Sequence, residues 1–211
     1  MDWGRRAWRS GVVLCGWGLA ALAAQGGEAQ MRQVDFVGQP ASLEARRTAE
    51  WAMSSGDVIG KPFAVVDKRE ARIYVFDATG RLAGAASSLL GLAKGDASAP
   101  DVASKVSTGI PLAERTTPAG RFNSEPGHNL KGEAIVWVDY DAAVAIHRLR
   151  PAPAAERRPQ RLASAHPEDR RISLGCIIVA PEFYDAVVAP TLGSQRGVVY
   201  VLPESTEVAW L

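Results

Sequence analysis

The sequence is poor in cysteine and histidine, the residues that build disulfide scaffolds and most structural metal sites. Among its 211 residues there are two cysteines and three histidines. Two cysteines cannot form a disulfide-rich framework, and no group of Cys and His residues has the spacing of a zinc site. We therefore expect a protein that uses neither a metal nor another cofactor.

An excess of charge of one sign is also missing. Lysine and arginine total 24 against 23 aspartates and glutamates, so the formal net charge is +1. The basic residues that cluster have no interleaved aromatic residues, which argues against a nucleic-acid partner. A hydrophobic content of 47% and the lack of an internal repeat indicate one globular domain of ordinary size, which we expect to be a monomer.

No apolar run is long enough for a comfortable membrane span, but the N-terminus is typical of a secretory signal. Three arginines precede the apolar segment 12–24, and small residues at Ala21–Ala23 and Gly27–Ala29 fit two alternative cleavage sites. We predict a signal peptide over 1–29, no stable membrane span after its cleavage, and an exported, periplasmic or cell-envelope protein. A twin-arginine signal and an uncleaved anchor are the alternatives.

Cleavage of this signal would leave Cys176 as the single cysteine, because Cys15 lies within the apolar segment. An unpaired thiol in an oxidising compartment is unusual, since that environment favours disulfides. Two interpretations of Cys176 are open. It is either a small buried hydrophobic residue or a nucleophile.

His147 is the candidate base for a nucleophilic Cys176. It ends the apolar run 144–146, so a strand would hold it in a defined place. A thiol attacks a carbonyl as its thiolate, and an imidazole can take the proton and later return it to a leaving amine. The alternative is a strand-end histidine that only packs. His128 and His166 are expected in loops, with His128 a candidate substrate contact.

The residues that lead into Cys176 form a Ser-Leu-Gly-Cys turn, 173–176. Gly175 would allow a substrate carbonyl to approach the backbone, and N–H groups around Gly175 and Cys176 would stabilise the oxyanion. Ser173 would either bond a backbone group of the turn or orient His147. The alternative interpretation is that the segment has no catalytic role and is simply a tight turn before a strand.

Strand and turn patterns dominate the chain from residue 60 onward. The predicted strands are 63–67, 73–76, 81–90, a short one within 116–122, 134–140, 142–147, one that starts at 177–179, and 197–202. Helices are predicted at 41–55, between an N-cap at Ser42 and Gly56, and at 181–188. The expected fold class is mainly β with a few short helices. A helical extension over 30–59 precedes the domain 60–203, and a tail over 204–211 follows it.

Three motifs in this order resemble those of the L,D-transpeptidase catalytic domain, the YkuD-type fold of bacterial cell-wall enzymes. They are the Ile-Tyr-Val-Phe strand with its Thr-Gly turn (73–80), Thr-Pro-Ala-Gly-Arg-Phe (117–122), and His147 followed by the turn 173–176. The resemblance covers about residues 60–203 and implies a β-sandwich. It also implies that Cys176 is the nucleophile and His147 the base, with a backbone carbonyl from Arg148 or a neighbour orienting the histidine.

The implied reaction is a transfer on peptidoglycan stem peptides. Cys176 would attack a stem tetrapeptide, D-alanine would leave, and an amine of a second stem would resolve the thioester into a 3→3 cross-link. This sequence departs from the family at two positions: Leu174 stands where most members have a second histidine, and Ile178 where members often have Arg or Asn. These departures keep open a thiol amidase or carboxypeptidase, in which water resolves the thioester, and a non-catalytic peptidoglycan-binding protein.

The segment 148–171, between base and nucleophile, is longer than in the family and rich in arginine and proline. Its seven arginines are 148, 150, 157, 158, 161, 170 and 171. Because guanidinium groups pair well with carboxylates, we expect a positive lid that holds the stem peptide, with Arg171 and Arg148 as substrate contacts. The alternative is a solvated, partly disordered loop.

Overall fold

The computed structural model describes residues 1, 34–204, 207–208 and 210–211. The predicted signal peptide, including Cys15, lies outside this range apart from Met1. Within the described ranges, no helix combines the length and the apolar character that a membrane crossing requires.

β-strands make up most of the regular structure in the described residues. They are β1 (Phe63–Asp67), β2 (Arg72–Phe76), β3 (Leu82–Ser87), β4 (Leu90–Gly91), β5 (Gly120–His128), β6 (Ala134–Asp139), β7 (Val144–Arg148), β8 (Arg171–Ser173), β9 (Ile177–Val179) and β10 (Gly197–Val201). Eight of them form a mixed sheet in the order β3-β2-β1-β10-β5-β6-β7-β9, and β4 pairs with β8. The predicted fold class, mainly β with a few short helices, is confirmed.

The long strand β5 divides the sheet into two halves. Its residues 120–124 pair with β10, whereas 125–128 pair with β6. Buried valines and isoleucines from both halves meet in one core, including Val66 and Val75 from one side and Val136 and Ile146 from the other. The sequence predicted only a short strand ending at 122, because Pro126 and Gly127 weaken the strand pattern. His128 is consequently the last residue of a strand and is not in a loop.

The opposite face of the β1-β2-β10 half is covered by helix α1 (Leu43–Ser54). Ser42 caps it as predicted, since its hydroxyl accepts the Ala45 N–H at 3.1 Å. Ala45, Ala49 and Ala52 are fully buried against aromatic residues of the sheet. Small side chains on this face let the helix lie close to the strands, and Gly56 ends it at a φ of 82°.

The insertion 148–171 is folded in the structure. It contains helix α2 (Arg158–Ala163) and two short 3₁₀ turns, and β8 begins at its last residue, Arg171. The sequence analysis predicted neither α2 nor β8. The predicted helix at 181–188 is present as α3 (Pro181–Phe183), which continues into a π-type turn over Tyr184–Val188.

Two strand predictions needed correction. The expected strand 81–90 is split into β3 and β4. The expected strand 142–147 begins only at Val144, because Asp139 accepts the Ala142 N–H in a turn that places Ala143 at a φ of 54°. That turn brings the backbone of Ala143 beside the predicted nucleophile.

Candidate active site

The sheet brings the predicted nucleophile and base to one side of two neighbouring strands. β7 and β9 run parallel, with His147 opposite Ile178, and Cys176 immediately precedes β9. Paired residues of parallel strands face the same side, and so do residues two positions apart. Cys176, His147 and Ile178 accordingly line one cleft of about 350 Å³.

The Cys176 thiol lies half-buried against the start of β7. Its Sγ is 3.5 Å from the carbonyl oxygen of Ala143. Burial raises the pKa of the Cys176 thiol, and this outweighs the opposite effects of the Ala145 N–H and of the Arg150 charge. The resting thiol is therefore protonated near neutral pH and needs a base.

His147 provides a neutral imidazole at this place. The residue is 7% exposed, and its Nδ1 lies 2.7 Å from the carbonyl oxygen of Arg148. Because a carbonyl only accepts, Nδ1 carries the hydrogen and Nε2 keeps its lone pair. Burial, reinforced by the nearby charge of Arg150, lowers the pKa of His147 to about 4. The ring is thus uncharged and basic at Nε2 at pH 7.

The hydrogen bonds of the described residues do not include one between Sγ and the imidazole. Catalytic hydrogen bonds are often long before substrate binds and tighten in the complex. The structure therefore places Cys176 and His147 in one cleft, with the sulfur resting against Ala143.

The turn before Cys176 is held by Ser173. Its Oγ accepts the Gly175 N–H at 3.1 Å and donates to the Cys176 carbonyl at 2.7 Å. Of the two interpretations of Ser173, the structure favours bonding within the turn. It also corrects one expectation, because the Gly175 N–H already has an acceptor and is not available to an oxyanion. The described hydrogen bonds leave the Cys176 N–H without an acceptor, so this group is the candidate oxyanion donor.

Glycine is required at position 175 for two reasons. Its φ is 136°, a backbone conformation that side chains disfavour, and a Cβ there would lie 2.9 Å from the carbonyl oxygen of Thr116. The turn is therefore pressed against the 116–117 segment. This contact relates the Gly-Cys turn to the Thr-Pro motif found in the sequence.

Thr117 connects that motif to the turn, a role that sequence reasoning missed. Its buried Oγ1 accepts the Gly91 N–H at 2.9 Å and donates to the Gly175 carbonyl at 2.8 Å. The carbonyl of Thr117 in turn accepts from the buried ammonium of Lys68 at 3.0 Å. The Thr-Pro motif in the sequence marked the position of Thr117 but did not indicate what its hydroxyl does.

Arg171, the predicted substrate contact, is not brought to the cleft. It is 7% exposed, and its guanidinium donates to the Lys68 carbonyl at 2.8 Å and to the carboxylate of Glu204. These contacts tie β8 to the chain that follows β1 and β10. Arg171 is therefore buried away from the cleft lining, where its charge pairs with that of Glu204.

The other two predicted substrate contacts also lie away from the cleft lining. The Arg148 side chain bonds Asp185, with Nε 2.8 Å from Oδ1, and stacks 4.1 Å above the ring of Tyr184. Only its backbone carbonyl reaches the site, at His147. His128 is exposed at the end of β5 and does not border the cleft.

The insertion does form a wall of the cleft, but through residues that the sequence analysis did not select. Arg150, the segment 151–153 and Arg158 line it on one side, and Val106 and Ile110 line another. The pattern of seven arginines offered no rule for choosing among them. Their positions depend on how the insertion folds back over β9.

No family model matches the chain, and no curated protein matches it. Solved structures do match. The helical cell shape determining protein Pgp2 from Campylobacter jejuni is 15% identical, with 74% of this chain and 55% of that chain covered and a TM-score of 0.43. An L,D-transpeptidase from Xylanimonas cellulosilytica is 14% identical, with 67% of this chain and 60% of that chain covered and a TM-score of 0.40. An L,D-transpeptidase mutant from Enterococcus faecium is 19% identical, with 68% of this chain and 50% of that chain covered and a TM-score of 0.36.

The chain covers between about half and two thirds of the length of the first solved structures it matches. Several of the matched structures are L,D-transpeptidases, the family that the sequence motifs resemble.

Proposed function

We propose that this protein is an exported cysteine acyltransferase that acts on peptidoglycan stem peptides as an L,D-transpeptidase. The observation that carries the proposal is the placement of Cys176 and His147 in one cleft, with His147 Nδ1 held by the Arg148 carbonyl. With Nδ1 engaged, Nε2 of His147 is the ring nitrogen that can act as a base. The reaction class comes from the three sequence motifs, and export from the N-terminal signal pattern.

The first half of the proposed reaction forms a thioester. Nε2 of His147 takes the thiol proton while Sγ of Cys176 bonds to the carbonyl carbon of the stem peptide. The Cys176 N–H stabilises the oxyanion of the tetrahedral intermediate. When the intermediate collapses, the C–N bond breaks and the imidazolium returns its proton to the leaving D-alanine amine.

The second half transfers the acyl group. An amine of a second stem loses a proton to Nε2 and attacks the thioester carbonyl, and the C–S bond breaks to give a new amide. The thiolate regains the proton from the imidazolium. Each step returns His147 to the neutral state that its buried position favours.

Mass spectrometry of the protein with stem tetrapeptide tests this proposal. We expect an adduct on Cys176 after loss of D-alanine, and a peptide dimer when a second stem supplies the amine. Cys176→Ala should give neither, and His147→Gln should give the adduct at least about a hundredfold more slowly. Tripeptide without dimer would identify a hydrolase instead. A folded wild-type protein that forms no adduct would refute the enzyme assignment.

A further inference from the structure

Two arginines of the insertion are held at the cleft with part of each guanidinium unpaired. Nε of Arg150 lies 2.6 Å from the carboxylate of Glu133, and Nε of Arg158 bonds the carboxylate of Glu156. Within the described part of the chain, neither terminal nitrogen of Arg150 or Arg158 has a hydrogen-bond partner. Both residues border the same cleft as Cys176 and His147.

The pairing through Nε orients the two side chains. An arginine has five donors in a planar fork, and a contact at Nε leaves the two terminal nitrogens to bind another group. The side chain of Arg158 is 20% exposed and therefore partly shielded from solvent, whereas that of Arg150 is 39% exposed. Partial burial strengthens an ionic contact compared with one on an open surface.

Ile178 explains why the insertion lies over the cleft. Its side chain belongs to a small apolar cluster with Leu89 and with Leu162 of α2. Ile178 and Leu162 are 2% and 9% exposed, so the contact excludes water. A polar residue at 178 would place an unsatisfied group in this cluster. The isoleucine at 178, where the family often has Arg or Asn, therefore leaves β9 without a polar group there. It also holds α2, which begins with Arg158, in place.

We propose that Arg150 and Arg158 form a binding site for a carboxylate group of the stem peptide that occupies the cleft. The ligand class rests on the proposed function, because stem peptides carry several carboxylates. The planar fork of each arginine matches the two oxygens of a carboxylate. Both charges also act within the site, since they contribute to the lowered pKa of His147.

Equilibrium binding to the full chain with Cys176→Ala tests the site without any catalytic step. The ligands are the stem tetrapeptide that ends in diaminopimelate and D-alanine, and the same peptide with its carboxylates converted to carboxamides. We expect the carboxylate form to bind more tightly. Arg150→Gln and Arg158→Gln should each weaken its binding about tenfold and leave the carboxamide form nearly unchanged. Arg150→Lys should retain part of the affinity.

Arg157→Gln is the matched control, because Arg157 belongs to the same insertion, is exposed and does not line the cleft. It removes the same charge and should leave binding nearly unchanged. Equal weakening by Arg157→Gln would reduce the effect to overall charge and overturn the proposal. So would the absence of binding, or equal affinity for the two peptides. Urea unfolding of each variant verifies that it is folded.

The binding experiment can fail or succeed independently of the thioester experiment that tests the proposed function. A wild-type protein that forms no thioester, together with arginine-dependent binding of the carboxylate peptide, would refute the enzyme but retain the site. Thioester formation, together with peptide binding that neither arginine substitution weakens, would retain the enzyme but refute the site.

Discussion

Replacing Thr117 with valine tests whether the Thr-Pro motif positions the Gly175 turn. Valine keeps the shape of threonine but removes the hydroxyl, which bonds the Gly91 N–H and the Gly175 carbonyl. Both backbone groups would remain buried without a partner, at about 1–3 kcal/mol each. We expect the free energy of unfolding to fall by about 2–6 kcal/mol, a large part of the stability of a typical domain.

Urea unfolding followed by tryptophan fluorescence measures the loss, and the rate of thioester formation on Cys176 reports the geometry of the turn. Thr116→Val is the matched control. The Thr116 side chain is also nearly buried, but among the described residues its hydroxyl makes no hydrogen bond. It should change stability by less than about 1 kcal/mol. Thr117→Ser should restore most of the loss. Equal effects of the two valine substitutions would refute the positioning role of Thr117.

Two further predictions concern the histidine and the glycine. His147 has a folded pKa of about 4 against 6.5 unfolded, so the wild type should lose up to about 3 kcal/mol of stability as pH falls from 6.5 to 4. His147→Gln should flatten this slope in urea titrations, and an unchanged slope would contradict a neutral, buried ring. Gly175→Ala should slow thioester formation about a hundredfold or more, because its Cβ meets the Thr116 carbonyl. Gly109→Ala, which also has a positive φ but open space around it, should leave the rate nearly unchanged, and similar rates for both would reject the steric argument.

Local sequence patterns predicted most of the strands, although not β8, and the residues that β7 and β9 place together. Val144 to Ile146 form an apolar run that ends in His147, and the strand period puts that histidine on a defined face. The Gly-Cys turn could be located because glycine before a strand signals an unusual backbone conformation. The capped helix α1 was equally readable from Ser42 and Gly56.

The contacts that the sequence could not reveal are those between distant segments. Ser173 and Thr117 act through backbone groups, and the partners of a hydroxyl cannot be read from its neighbours in the chain. Local sequence does not separate Arg171 from Arg150 and Arg158 as a substrate contact. In the structure, Glu204, 33 residues beyond Arg171, has already paired with it. Which arginine reaches the cleft thus depends on tertiary packing, because Arg150 and Arg158 also pair with glutamates but border the cleft.

Burial of the site explains why its two reactive groups rest uncharged. Burial raises the pKa of the Cys176 thiol and lowers that of His147, so a thiolate–imidazolium pair is disfavoured on both sides. The charges of Arg150 and Arg158 add to the cost of an imidazolium. A carboxylate bound at Arg158 would offset a charge that acts on His147 but is not among those that shift the Cys176 thiol, whereas one bound at Arg150 would offset a charge that acts on both groups. In the proposed enzyme, binding of a donor-peptide carboxylate at Arg158 would therefore make the imidazolium less costly without removing the Arg150 charge that stabilises the thiolate.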